Sequence, residues 1–212
     1  MGNSKTKNQL TSDEINFLEE QSDFTQDEIQ EWYDSFRAEN PDLKFTKEKI
    51  HAFYQEFFGG DPSGYSDRVF DVFDLDKSGY LDFIEFLQCI NFLTTKSADE
   101  KLKWTFRLYD VDGNGSIDFD EMVQIISYLG DILYSGSCKD MAREKAVLLF
   151  EQMDVDEDGR ITQEEFTNAI KNDKQMKDIL NSPTESLAGN SNHHTFSVNK
   201  NFFVYFSLKK QK

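Results

Sequence analysis

An all-α fold of paired helix–loop–helix units is predicted by three features of this 212-residue sequence. A twelve-residue acidic segment, with glycine sixth and glutamate twelfth, occurs at 74–85, 110–121 and 154–165. Phe70, Phe106 and Phe150 stand four residues before these segments. Apolar residues follow each at helical spacing, as Phe86/Ile90, Met122/Ile126 and Phe166/Ile170. Helix, loop and helix thus repeat in register three times, which acidic turns on a solvated surface would not reproduce.

The loop at 110–121 reads DVDGNGSIDFDE. Oxygen-bearing side chains occupy its first, third, fifth and ninth positions (Asp110, Asp112, Asn114, Asp118). Gly115 permits a sharp bend, and Glu121 at the twelfth position offers two oxygens to one ion. That is the spacing of an EF-hand calcium loop. The loop at 74–85 supplies Asp74, Asp76, Ser78, Asp82 and Glu85 in the same places, and the loop at 154–165 supplies Asp154, Asp156, Asp158, Thr162 and Glu165. The seventh residues, Tyr80, Ser116 and Arg160, offer only a backbone carbonyl, so their side chains are free to differ. A large, hard cation with loose coordination suits these donors, whereas magnesium would use a bidentate glutamate poorly. Three calcium ions are expected.

The formal charge of −17 argues against nucleic acid as a partner and against a basic membrane patch. Much of it has a local origin, because each loop brings four carboxylates to ligand positions. The 20 phenylalanines must be buried or offered to a partner. Two cysteines, Cys89 and Cys138, make no disulfide framework, and neither a signal peptide nor a twenty-residue apolar span is present, so a reducing cytoplasmic setting is expected. His51, His193 and His194 lack partners at zinc spacing. No nucleophile elbow, phosphate-binding glycine loop or zinc signature points to an enzyme.

In chain order, residues 1–24 form an N-terminal arm and short helix. The start MGNSKT fits the N-myristoylation pattern at Gly2, and one such chain gives only reversible membrane contact. Capping boxes at Thr11/Glu14 and Thr25/Glu28 open two helices. Residues 38–49 then align as a degenerate fourth loop, with Ala38 first, Leu43 sixth, Phe45 eighth and Lys49 twelfth. A lysine in place of the bidentate glutamate excludes calcium there. Asp34 occupies the place of the preceding phenylalanine, with Phe36 displaced by two, which predicts an irregular backbone.

Such loops meet in pairs through short two-stranded β contacts between their eighth residues. Phe45 should therefore face Leu81, and Ile117 should face Ile161. The first pair occupies 25–95, with one inactive and one active hand, and the second occupies 96–180, opening at a Ser97/Glu100 cap. Residues 129–139 read as a linker between helices. Residues 181–212 read as a disordered tail ending in a short apolar run, Phe202 to Leu208, too short to span a bilayer. That run has three readings: folding back on the first half, touching a membrane with help from Lys209, Lys210 and Lys212, or an unselected extension.

Three active hands after one inactive hand, the MGN start, Trp32-Tyr33 before the inactive loop, Phe57-Phe58 after it and the run KLKWTFRLYDVDGNG together resemble the neuronal calcium sensor family of the calmodulin-like superfamily. The resemblance covers about residues 1–180, nearest to guanylate-cyclase activating proteins, with recoverin and visinin near. Asn40-Pro41 replaces the Cys-Pro usual in the inactive loop. The resemblance implies a myristoylated body whose first half binds a target helix. Trp32, Tyr54, Phe57, Phe83 and Phe86 would then line a groove for an amphipathic helix, although several must also serve as core. A guanylate cyclase or a receptor kinase is the implied kind of target. Whether calcium ejects the acyl chain toward a membrane or leaves it buried is open on sequence.

The function expected is a cytoplasmic calcium sensor with peripheral membrane association, which changes conformation and regulates a target. The rival is a calcium buffer without a dedicated target. Calorimetric titration should count three ions per chain; a fourth would assign an ion to residues 38–49, and two would remove one acidic loop from the set.

Overall fold

The structure, a computed structural model, describes residues 9–57, 61–95, 97–133 and 139–172. Gly2, residues 134–138 of the expected linker and the tail from 181 lie outside them, while residues 129–133, expected as linker, continue the helix that begins at Phe119. The described residues form nine helices: α1 (Ser12–Glu20), α2 (Gln26–Glu39), α3 (Lys47–Phe57), α4 (Ser63–Phe73), α5 (Phe83–Thr94), α6 (Ala98–Tyr109), α7 (Phe119–Leu133), α8 (Lys139–Met153) and α9 (Gln163–Asn172). Two short strands complete them, β1 (Ser116–Ile117) and β2 (Ile161–Thr162).

Local chemistry sets the helix starts. Thr11 and Thr25 each accept the backbone N–H three residues on, while Glu14 and Glu28 reach back to the cap N–H, so both expected capping boxes form. The Thr25 hydrogen bonds hold the Glu28 carboxyl below the usual carboxylate range. Ser97 accepts the Glu100 N–H at 3.2 Å and opens α6. The mostly helical fold with paired loops and a small antiparallel sheet is therefore as expected.

The chain divides into two compact units. In the first, whose described residues are 9–46 and 73–95, α2 lies against α5 through aromatic rings. Tyr33 meets Phe83 at 5.0 Å between centroids, Phe36 meets Phe86 at 4.9 Å, and Trp32 meets Phe86 at 6.2 Å. The turn between α1 and α2 is tied to the end of α5: Asn91 Oδ1 accepts the Asp23 N–H, and Thr95 Oγ1 donates to Asp23 at 2.7 Å. Phe45 and Leu81 exchange backbone hydrogen bonds of 2.9 and 2.8 Å in the predicted antiparallel bridge.

The described residues of the second unit are 47–57, 61–72, 97–133 and 139–172. Here β1 and β2 pair antiparallel, Ile117 opposite Ile161, both fully buried. Phe166 of α9 lies against Phe106 and Tyr109 of α6, at 5.6 and 5.9 Å. Lys47 of α3 pairs with Asp71 of α4 at 3.1 Å.

The three acidic loops share a turn geometry. Their sixth residues, Gly79, Gly115 and Gly159, have φ of 83°, 88° and 82°, and their fourth residues, Lys77, Gly113 and Glu157, are also left-handed at 57°, 72° and 58°. In residues 38–49 the sixth residue, Leu43, keeps this sign at φ 58° although it has a side chain. The irregularity expected around Asp34 is therefore not in α2, which runs unbroken to Glu39 with Phe36 buried. It appears in the loop, where Asn40 caps α2 through its backbone N–H and its Nδ2, both donating to the Phe36 carbonyl at 2.8 and 2.7 Å.

Gly64 of α4 lies so close to the Tyr128 ring of α7 that a Cβ there would overlap it. Helix propensity alone gives Gly64→Ala a gain of about 1 kcal/mol. The Tyr128 contact reverses this, so thermal unfolding should show a lower Tm for Gly64→Ala. A higher Tm would mean the ring yields freely.

Candidate metal centre

Each acidic loop gathers carboxylates that the chain order separates. One oxygen from each of Asp74, Asp76 and Glu85 lies within 4.8 Å of the other two, and Asp110, Asp112 and Glu121 do the same. In the third loop the convergent set is Asp154, Asp156 and Asp158. Asp74, Glu85, Asp110 and Glu121 are all buried, whereas the third loop is more exposed.

Backbone N–H groups hold these acids in place. Glu85 Oε1 accepts the Leu75 N–H at 2.7 Å, and its Oε2 accepts the Asp82 N–H at 3.1 Å. Glu121 repeats this with Val111 at 2.8 Å and Asp118 at 2.8 Å, and Glu165 with Val155 at 3.0 Å and Thr162 at 2.9 Å. Each twelfth residue therefore clasps both the beginning and the end of its own loop. The first residues bind the bend: Asp74, Asp110 and Asp154 each accept the N–H of the glycine five residues on, at 3.0 Å.

The ninth residues serve the helices that leave the loops. Asp82 and Asp118 accept the N–H of Glu85 and Glu121 at 3.0 and 2.9 Å, and Thr162 accepts that of Glu165 at 3.3 Å. At the fifth and seventh positions, Ser78 Oγ donates to the Tyr80 carbonyl at 2.8 Å. Asn114 Oδ1 accepts from Ser116, and Asp158 Oδ1 accepts the Arg160 N–H.

Two features fit a hard dication. Asp110 Oδ1 is buried without a hydrogen-bond partner among the described residues, in a cluster made wholly of oxygen donors. Burial pushes the Glu85 carboxyl above its usual range despite the backbone hydrogen bonds from Asp82 and Leu75 that oppose it. At Glu165 burial also raises the carboxyl, but the bonds from Thr162 and Val155 outweigh it and the net direction is downward. Acidic groups so placed suggest calcium as the ion.

The five residues expected to line a target groove are differently placed. Trp32, Phe83 and Phe86 are buried in the ring cluster of the first unit. Tyr54 is buried in the second unit beside Phe53 and Tyr65, at 5.7 and 5.6 Å. The Phe57 side chain, like Gly2, lies outside the described residues.

Loop spacing gave no sign of three further participants. Lys44, seventh in the inactive loop, stacks its ammonium 4.2 Å over the ring of Tyr80, seventh in the active one. Arg160 donates to Ser116 Oγ at 3.0 Å, so the seventh residues of the second pair also meet. Arg68 of α4 donates to the Arg107, Leu108 and Asp110 carbonyls at the end of α6.

Among the described residues no helix is long and apolar enough to cross a membrane. Residues 65–127 and 99–171 match the EF-hand domain pair family. The chain is 36% identical over 181 residues to neuronal calcium sensor 1 of Lymnaea stagnalis, covering 83% of this chain and 95% of that protein. The same identity and coverage hold for neuronal calcium sensor 1 of Aplysia californica. S-modulin of Aquarana catesbeiana is 35% identical over 109 residues, covering 51% of this chain and 54% of that protein.

Glu121→Gln removes one charge from its cluster while its Oε1 can still accept from Val111. Calcium affinity at this loop should fall by roughly tenfold or more, the worth of a charge-assisted contact. The Tm in chelator should hold or rise as carboxylate repulsion is relieved. Unchanged calcium titrations in Glu85→Gln, Glu121→Gln and Glu165→Gln alike would remove these residues from the site.

Proposed function

The chain belongs to the neuronal calcium sensor family, and on that premise we propose that it is a three-site calcium sensor whose first half regulates a target protein at a membrane. The observation that carries this is the convergence of Asp110, Asp112 and Glu121 around a buried, unpartnered Asp110 oxygen, paralleled at Asp74, Asp76 and Glu85. Asp154, Asp156, Asp158 and Glu165 form the third site in this reading, with Ser78, Asp82, Asn114, Asp118 and Thr162 as supporting side-chain donors and Tyr80, Ser116 and Arg160 offering carbonyls. Domains at 25–95 and 96–180 are part of this reading, and the pairing of Phe45 with Leu81 and of Ile117 with Ile161 supports them.

Bound calcium supplies positive charge to clustered carboxylates. The response is then this chain's own. Glu85 clasps its loop and stands in the first turn of α5, so a change in its carboxylate geometry moves the start of that helix, which also carries Phe83 and Phe86. Fully uncovering Phe83, Phe86 and Trp32 costs roughly 5–9 kcal/mol at about 1.5–3 kcal/mol per side chain. A partner that re-covers them offsets most of this, which favours an amphipathic target helix over a bare open groove.

The MGNSKT start supports myristoylation at Gly2, and the absence of a spanning helix among the described residues is compatible with peripheral attachment in the cytoplasm. A guanylate cyclase or a receptor kinase is the class of target proposed, with regulation rather than catalysis as the role.

Two measurements test this. Calcium should raise the fluorescence of a hydrophobic dye and the affinity for an amphipathic peptide; no change in either would make the protein a buffer. Vesicle co-sedimentation of the myristoylated protein should exceed that of Gly2→Ala, and equal partition would remove the acyl anchor from the proposal.

A further inference from the structure

We propose that Arg68, which lies outside every loop, is a positioning residue that sets the affinity of the 110–121 site by fixing the backbone of Asp110. This rests on reading that loop as a calcium site.

The last carbonyls of a helix have no partner within it. At the end of α6 they find one in α4. Arg68 Nε donates to the Leu108 carbonyl at 3.0 Å, and its Nη2 donates to the carbonyls of Arg107 and Asp110. Only a planar guanidinium presents donors in a fork that serves three such oxygens together; a lysine ammonium is a compact point charge on a flexible stem. Arg68 is half-buried, so these charge-assisted bonds are less screened than on an open surface.

Asp110 is where this matters. Its N–H donates to the Phe106 carbonyl at 2.9 Å, closing α6, and its own carbonyl is held by Arg68. The backbone of the first ligand residue is thus pinned on both sides. Its side chain is pinned at one oxygen, since Oδ2 accepts the Gly115 N–H at 3.0 Å. That leaves Oδ1 buried and without a hydrogen-bond partner among the described residues, on a residue whose carboxylate belongs to the acid cluster. If the Arg68 fork is lost, Asp110 regains backbone freedom and Oδ1 its spread of directions.

A positive charge beside a cation site opposes this effect by repulsion, so the two roles predict opposite signs. Removing a repelling charge tightens binding; removing a positioning fork weakens it. Burial holds the Arg68 guanidinium below its usual range, with the Arg107 charge acting the same way and the Asp71, Asp110 and Glu121 carboxylates opposing it; the sign of the measured change therefore tells the two roles apart.

The test uses the full chain carrying Glu165→Gln, to silence the third loop, with calcium titration followed by NMR at the Gly115 amide. Arg68→Met and Arg68→Lys should both weaken the Gly115 midpoint by about tenfold, as for loss of charge-assisted hydrogen bonds. Lys171→Met, which removes an ion pair to Asp99 at the other end of α6, should stay within about twofold of the parent. A parental or tighter midpoint in Arg68→Lys overturns the proposal. So does an equal weakening in Lys171→Met, which would make the effect general loosening. Should Arg68→Met fail to fold by circular dichroism, Arg68→Lys alone decides. A Gly115 amide that ignores calcium in the parent itself would instead refute the calcium reading of the loop.

Discussion

The organisation of the acidic loops depends on one arrangement: a carboxylate at the end of the loop accepting hydrogen bonds from its beginning. Glu85 and Glu121 each reach back ten residues with one oxygen and bind the ninth residue with the other. That closes the loop, but it also brings like charges together in buried surroundings, where ionised groups are costly. The backbone N–H groups offset part of that cost. The unpartnered oxygen of Asp110 marks the part left over. Because α5 starts at Phe83 and α7 at Phe119, the helices that leave these loops inherit whatever geometry the acids adopt.

What the sequence made legible was the part written in local spacing. The convergence of carboxylates, the sixth-position glycines, the threonine caps and the bridge of Phe45 to Leu81 all follow from a fixed interval or an alignment of loops. The contacts it hid are those whose partners stand far apart with no repeating interval. Arg68 meets the end of α6 about forty residues away, and nothing about an arginine between Asp67 and Val69 foretells three carbonyls. Lys44 and Tyr80 share the seventh position of paired loops, yet the rule that this position uses only its carbonyl concealed that their side chains face one another. The aromatic residues were countable, but composition does not say which are covered; Trp32, Phe83 and Phe86 are buried in the structure.

The degenerate loop shows how a motif outlives its ligands. Its first and twelfth residues are Ala38 and Lys49, so no acid clasp is available. Asn40, third in the loop, instead turns back to cap α2 through the Phe36 carbonyl, and Leu43 accepts the left-handed conformation that glycine adopts in the acidic loops. The backbone exchange between Phe45 and Leu81 survives because it needs the loop's shape and not its charges.

A shape held by an amide cap is indifferent to ionic conditions. The bridge from Phe45 to the 74–85 loop is made by uncharged backbone groups. Within that pair, among the described residues, convergent carboxylates are gathered only by the 74–85 loop. The pair joined by Ile117 and Ile161 has acid clusters on both sides of its ribbon. The two ribbons thus differ in what lies across from them: a loop held by an asparagine opposite residues 74–85, and a second acid cluster opposite residues 110–121.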